Sequence, residues 1–150
     1  MDPDADLLDE IEEAFRHSPQ LFSVRTAGNG RIATKMFHEF QPHVVVLNAS
    51  MPSPGGLELC RHIRKSAQAQ HTHIVALLRR SDQKLIGLAN DYGIDVCLNR
   101  AADSETIKYE VWRLAQESDR AGIRAVTGVN YRALREATRK HTQSFQAPTG

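Results

Sequence analysis

Apolar positions along the chain change period several times, and each change predicts an element. Leu7, Leu8, Ile11 and Phe15 fall at helical spacing, with Asp6 placed to cap the helix and Ser18-Pro19 to end it. Phe22, Val24 and Thr26 alternate with polar residues as a short strand over 22–27 would, and Gly28-Asn29-Gly30 turns the chain. Ile32, Met36, Phe37 and Phe40 line a second helix, stopped at Gln41-Pro42. Val44 to Leu47 is an unbroken apolar run, β-branched except for Leu47, which suits a strand covered on both faces. Met51-Pro52 and Pro54-Gly55-Gly56 stop that strand, and a helix over 56–66 follows. Ile74 to Leu78 is a second continuous apolar strand. Ser81 or Asp82 caps a helix through Leu85, Leu88 and Ala89 that ends at Gly93. Val96 to Leu98 forms a last short strand, and Asp103 or Ser104 caps a long helix that turns Ile107, Val111 and Leu114 inward.

This alternation of helices and strands predicts an α/β domain, a parallel sheet with helices on both faces. Ligands of such sheets bind just outside the carboxyl ends of the strands. Asn48 ends the run that begins at Val44, so its chemistry weighs most in any functional reading.

Composition narrows the class without naming it. With 150 residues, 41% hydrophobic and 25% charged, the chain has room for one ordinary globular domain and an extension. No apolar run approaches the roughly 18–20 residues of a membrane span, and no signal peptide is visible. The two cysteines, Cys60 and Cys97, fall on elements expected to be buried; they make no disulfide framework, and a reducing cytoplasm is the expected setting. Charge is segregated. Asp2, Asp4, Asp6, Asp9, Glu10, Glu12 and Glu13 face a single Arg16 near the start, whereas residues 119–150 carry a local +4.

Asn48-Ala49-Ser50-Met51-Pro52, followed by Gly56-Leu57-Glu58-Leu59, resembles the phosphoacceptor segment of bacterial response-regulator receiver domains, which read Asp-x-x-Met-Pro and then Gly-Leu-Glu-Leu after their third strand. The resemblance covers roughly residues 2–118 and implies a flavodoxin-like three-layer α/β/α sandwich. It also implies a strand before the first helix, which this chain lacks. Asp2-Pro3-Asp4-Ala5-Asp6 resembles the acidic loop that follows that strand, so Met1 falls about where the strand would end. A gap there leaves buried backbone groups without partners. Three ways to fill it stand open: a longer native chain, a strand from another molecule, or the tail, of which residues 122–129 have a suitable composition.

The resemblance also locates a degenerate phosphoacceptor pocket at Asp2, Asp4, Asn48, Leu78 and Arg100. Asn48 stands at the position of the reactive aspartate. Thirty residues on, Leu78 replaces a threonine or serine; fifty-two residues on, Arg100 replaces a lysine and precedes Ala101 instead of a cis proline. Cys97 takes the place of the aromatic switch residue. A carboxamide is a poor nucleophile and carries no charge for a magnesium ion, Leu78 has no hydroxyl, and Arg100 is a planar fork that could pair with Asp2 or Asp4. The resulting expectation is a non-catalytic pseudo-receiver with no cofactor. By the same resemblance, it meets a protein partner or a second copy through its fourth and fifth helices and fifth strand, where Lys84, Cys97, Tyr109 and Trp112 lie.

Other patterns carry less. His71-Thr72-His73 puts two imidazoles close together, but no cysteine or carboxylate nearby in sequence completes a metal site, and a polar loop before a strand is the expected role. The division expected is a receiver-like domain over 1–118, a basic helical extension over 119–141 and a disordered tail over 142–150. Within the extension, Ile123, Val129 and Leu134 fall where a helix-turn-helix keeps its anchors, and Arg132, Arg135, Arg139 and Lys140 would project toward DNA. A transcription regulator that binds DNA through this extension is therefore the alternative reading.

Overall fold

The computed structural model describes residues 1–17, 22–67 and 71–120. Its frame is a parallel three-stranded sheet in the order β1 (Val44–Asn48), β2 (His73–Leu78), β3 (Val96–Asn99), with Val46 opposite Val75 and Ala76 opposite Cys97. Around it lie α1 (Ala5–Arg16), α2 (Gly30–Phe40), α3 (Gly56–Lys65), a short α4 (Gln83–Gly87) and α5 (Ser104–Arg120). β2 is central, and Ile74, Val75 and Ala76 expose none of their surface. That is why its sequence shows no polar alternation. Leu47, Ile74, Ala76 and Leu78 pack with Phe37, Leu59, Cys60 and Ile63 in one core. Val75 and Leu77, pointing the other way by the period of a strand, share a face with α5, whose Ile107 and Leu114 are buried. Each fully buried aliphatic side chain contributes about 1.5–3 kcal/mol.

Residues 22–27 form no strand. The alternation there is local, whereas a strand exists only through a paired neighbour. Among the described residues, Asp2 supplies the backbone contact to this segment and Met1 the contact to β1. The Asp2 amide donates to the Ala27 carbonyl at 3.2 Å, the Asn48 amide donates to the Met1 carbonyl at 2.9 Å, and the Met1 nitrogen donates to the Val46 carbonyl at 2.6 Å. Met1-Asp2 is thus a two-residue rung between residue 27 and the carboxyl half of β1. Because this rung lies inside the fold, Asp2 is almost completely buried at 1% exposure.

Several smaller expectations are corrected. Asp4, not Asp6, caps α1, its Oδ1 accepting the Leu7 amide at 3.3 Å. Asn29 is the cap of α2, accepting from the Ile32 amide at 2.9 Å. The fourth helix stops at Gly87, and a single 3₁₀ turn (Asn90–Tyr92) reaches Gly93, whose φ of 66° is the left-handed conformation that glycine tolerates. Ile32 and Leu88, assigned to inward stripes, are 47% and 42% exposed. Cys97 is exposed as well, because β3 is an edge strand with alternating burial and Cys97 lies on its open side. Gly56 has a steric reason: a Cβ there would run into the Asn48 carbonyl and the Ala49 Cα, so α3 can begin tight against the end of β1 only without a side chain.

Candidate functional site

The carboxyl ends of the three strands deliver Asn48, Leu78 and Asn99 to one end of the sheet. The loop after β3 returns Arg100 across that end, its amide donating to the Leu78 carbonyl at 2.8 Å. The guanidinium then reaches the segment before α1. Arg100 Nε and Nη2 donate to the two Asp2 oxygens at 3.2 and 2.9 Å, and Nη2 also donates to Asp4 Oδ2 at 3.1 Å. This is a forked contact of the kind only arginine makes. The Asp4 amide completes it by donating to Asp2 Oδ1 at 2.9 Å.

Burial alone would raise the Asp2 pKa. The Arg100 hydrogen bonds, the Asp4 amide, the Arg100 charge and the Asn48 amide outweigh it, and the carboxyl is held below its usual value. Asp2 in turn holds the Arg100 pKa above its usual value. Asn48 is itself 4% exposed, and its Oδ1 accepts the Ser50 amide at 2.9 Å. Leu78 enters only through its carbonyl; its side chain belongs to the core below. The four polar groups Asp2, Asp4, Asn48 and Arg100 therefore share one crevice and already answer one another. Magnesium needs several carboxylate oxygens and keeps waters around it. Here both Asp2 oxygens and one of Asp4 accept from Arg100, and Asn48 offers a neutral amide. As they stand, these residues do not fit the ion.

A second contact crosses the same end of the sheet. Ser50 Oγ, in the loop after β1, donates to Asp82 Oδ2 at 2.5 Å, and the same oxygen accepts the Arg79 amide at 2.8 Å. Asp82 thereby gives up its expected role as a side-chain cap of α4. The hydroxyl joins the loops after β1 and β2 directly. Nothing in the sequence signals the pair, since 32 residues separate them.

The remaining sequence candidates lie elsewhere. Tyr109 is 46% exposed on α5 and stacks at a tilt, 6.1 Å between ring centres, on Trp112, whose buried Nε1 has no hydrogen-bond partner among the described residues. Lys84 and Ile86 are on α4, with Ile86 half exposed. Cys60 is buried, and its thiol is pushed up to about 11, chiefly by desolvation. Thr72 is buried with its hydroxyl on the Pro42 carbonyl, and His73 Nδ1 lies 3.6 Å from Asp95 at the opposite end of the sheet. Arg132, Arg135, Arg139 and Lys140, with the expected extension from residue 121 onward and the tail, lie outside the described residues.

Fold and crevice define an α/β domain with a polar site at the strand ends. Residues 1–111 match the model of the response regulator receiver domain, and the chain belongs to that family. It is similar to the transcriptional regulatory protein AfsQ1 of Streptomyces coelicolor, at 31% identity over 109 residues, covering 65% of this chain and 47% of that protein. It is also similar to a protein-glutamate methylesterase/protein-glutamine glutaminase of Koribacter versatilis, at 27% identity over 149 residues, covering 93% of this chain and 41% of the other. Among solved structures, the chemotaxis protein CheY4 of Vibrio cholerae superposes with a TM-score of 0.68 over 75% of this chain and 92% of that one, at 19% identity, a likeness of fold. The chain spans less than half the length of these curated relatives. Among the described residues, no helix is long and apolar enough to cross a membrane.

Proposed function

We propose that this receiver domain is a non-catalytic signalling module whose state is set by docking and not by aspartate phosphorylation. The observation that carries the reading is the Arg100 fork closed on both Asp2 and Asp4 beside the neutral Asn48. The groups that would engage a phosphoryl group and its ion are committed to each other, and the acyl phosphate has no carboxylate to form on. The Ser50–Asp82 bond supports the same reading, because it joins two loops that a bound phosphoryl group would otherwise have to draw together. The partner is a protein or a second copy of the chain, met at the face of α4, β3 and α5. The half-exposed Ile86, Leu88 and Tyr109 give that face apolar surface, with Lys84, Cys97 and Trp112 beside them. The setting proposed is the cytoplasm.

Incubation with acetyl phosphate or beryllofluoride and magnesium tests the proposal by intact mass and by amide spectra. The expected outcome is no adduct at Asn48 and no shift of the β1 and β2 loops. A stoichiometric adduct would overturn it. A second reading, a DNA-binding regulator, is favoured by the likeness to the Streptomyces transcriptional regulatory protein and by the +4 of residues 119–150. It requires that deleting residues 119–150 abolish DNA binding, and that binding by the full chain weaken steeply with salt. Absence of binding at low salt eliminates it.

A further inference from the structure

Histidines 38 and 62 come from different helices, yet their rings meet. His38 is in the last turn of α2, and His62 is near the end of α3. Their Nε2 atoms are 2.7 Å apart on the exposed surface, with ring planes at 89°. Phe37 stands edge-on to both rings, at 5.6 Å from His38 and 6.4 Å from His62, and Phe37 is itself 7% exposed and anchored in the core. The two imidazoles are thus backed by a fixed ring and present their Nε2 atoms to one point.

At 2.7 Å the two Nε2 atoms share a hydrogen bond. The same convergence suits a metal ion. Two imidazole nitrogens about 2.0–2.1 Å from a tetrahedral ion lie ~3.3 Å from each other, a separation reached by small side-chain rotations. We propose that His38 and His62 form a two-histidine site for a borderline divalent transition ion of the zinc, nickel or copper class, clipping α2 to α3. Imidazole donors exclude magnesium and calcium, which take oxygen ligands. Among the described residues, no group of three or more histidine, cysteine or carboxylate side chains is placed to hold an ion, so water completes the coordination. The site is therefore exchangeable and independent of the crevice at the strand ends. It does not rest on the function proposed above.

The test titrates the full chain, freed of metal by a chelator, with zinc chloride and with nickel chloride, and follows heat release and thermal unfolding. The expected result is one site and a melting point that rises with metal, since binding to the folded state alone stabilises it. His38→Gln and His62→Gln should each lower the affinity by more than the roughly 10–100-fold typical of losing a mere supporting hydrogen bond. His71→Gln and His73→Gln should leave it unchanged. Each variant is read against its own metal-free melt, so a change in basal stability does not enter. Absence of a metal-dependent rise in the native chain overturns the assignment. So does a rise that persists in both His38→Gln and His62→Gln, or one that vanishes in His71→Gln.

Discussion

Arg100→Ala is expected to lose about 2–4 kcal/mol of stability at neutral pH, below the upper end for a buried ion pair because Arg100 keeps 22% of its side chain in solvent. The loss comes less from the missing attraction than from what is left behind. Asp2, 2% exposed in its side chain, loses both guanidinium bonds and is left with the Asp4 amide, the Asn48 amide and the charge of the Met1 ammonium to answer its own. The pH dependence separates this cause from a packing defect. In the native chain, the depressed Asp2 pKa contributes stability that is present above the ordinary aspartate value of 3.8 and is lost as pH falls through the folded value. Without Arg100, burial becomes the dominant influence and the folded pKa rises above the unfolded one. Its contribution then has the opposite sign, favouring the fold in acid and disappearing as pH rises. Urea unfolding between pH 3 and pH 7 should therefore show the native chain losing stability with acid while the gap to Arg100→Ala narrows. Arg100→Lys should recover part of the loss, since a point charge reaches one carboxylate where the fork holds two. Parallel pH curves for native and Arg100→Ala chains would exclude the ion pair as the source.

What the sequence could and could not disclose follows from the range of each interaction. Val44 to Leu47 and Ile74 to Leu78 are legible because burial on both faces leaves a continuous apolar run that few other elements produce. Asn48 is legible because a strand end and a Pro-Gly break fix its place within a residue or so. The segment 22–27 is misread for the opposite reason: alternation is local, but the ladder that would make it a strand depends on residues far away, and among the described residues its backbone bond is the one from Asp2. The cap of α1 is misplaced by two residues because Asp2, Asp4 and Asp6 repeat the same capping chemistry at every second position. Cys97 is called to the interior by its residue type, and only the position of β3 at the edge of the sheet puts it outside. The Ser50–Asp82 and His38–His62 contacts leave no linear trace, since they arise where two loops or two helices happen to be brought together by packing. The crevice is thus readable in its outline and not in the bonds that close it.

Those bonds predict that Asn48→Asp, although it restores the carboxylate usual in the family, destabilises the isolated chain by about 1–3 kcal/mol at pH 7. The Oδ that accepts the Ser50 amide survives the change. The amide nitrogen does not, and it is one of the groups that hold the Asp2 carboxyl in its charged form. A second carboxylate in a position only 4% exposed now faces Asp2 across the crevice, and like charges so placed drive one of the two toward protonation. The variant should accordingly gain stability relative to the native chain as pH falls from 7, the sign expected of a raised carboxyl pKa. Saturating magnesium chloride should raise its melting point, because three clustered acids can compete for the ion with Arg100, whereas the native chain, with two acids already tied to a guanidinium, should not respond. Thermal melts of both chains with and without magnesium decide the matter. An equal response in the two chains would mean that Arg100 releases Asp2 and Asp4 readily, and that the fork seen across the strand ends does not govern the site.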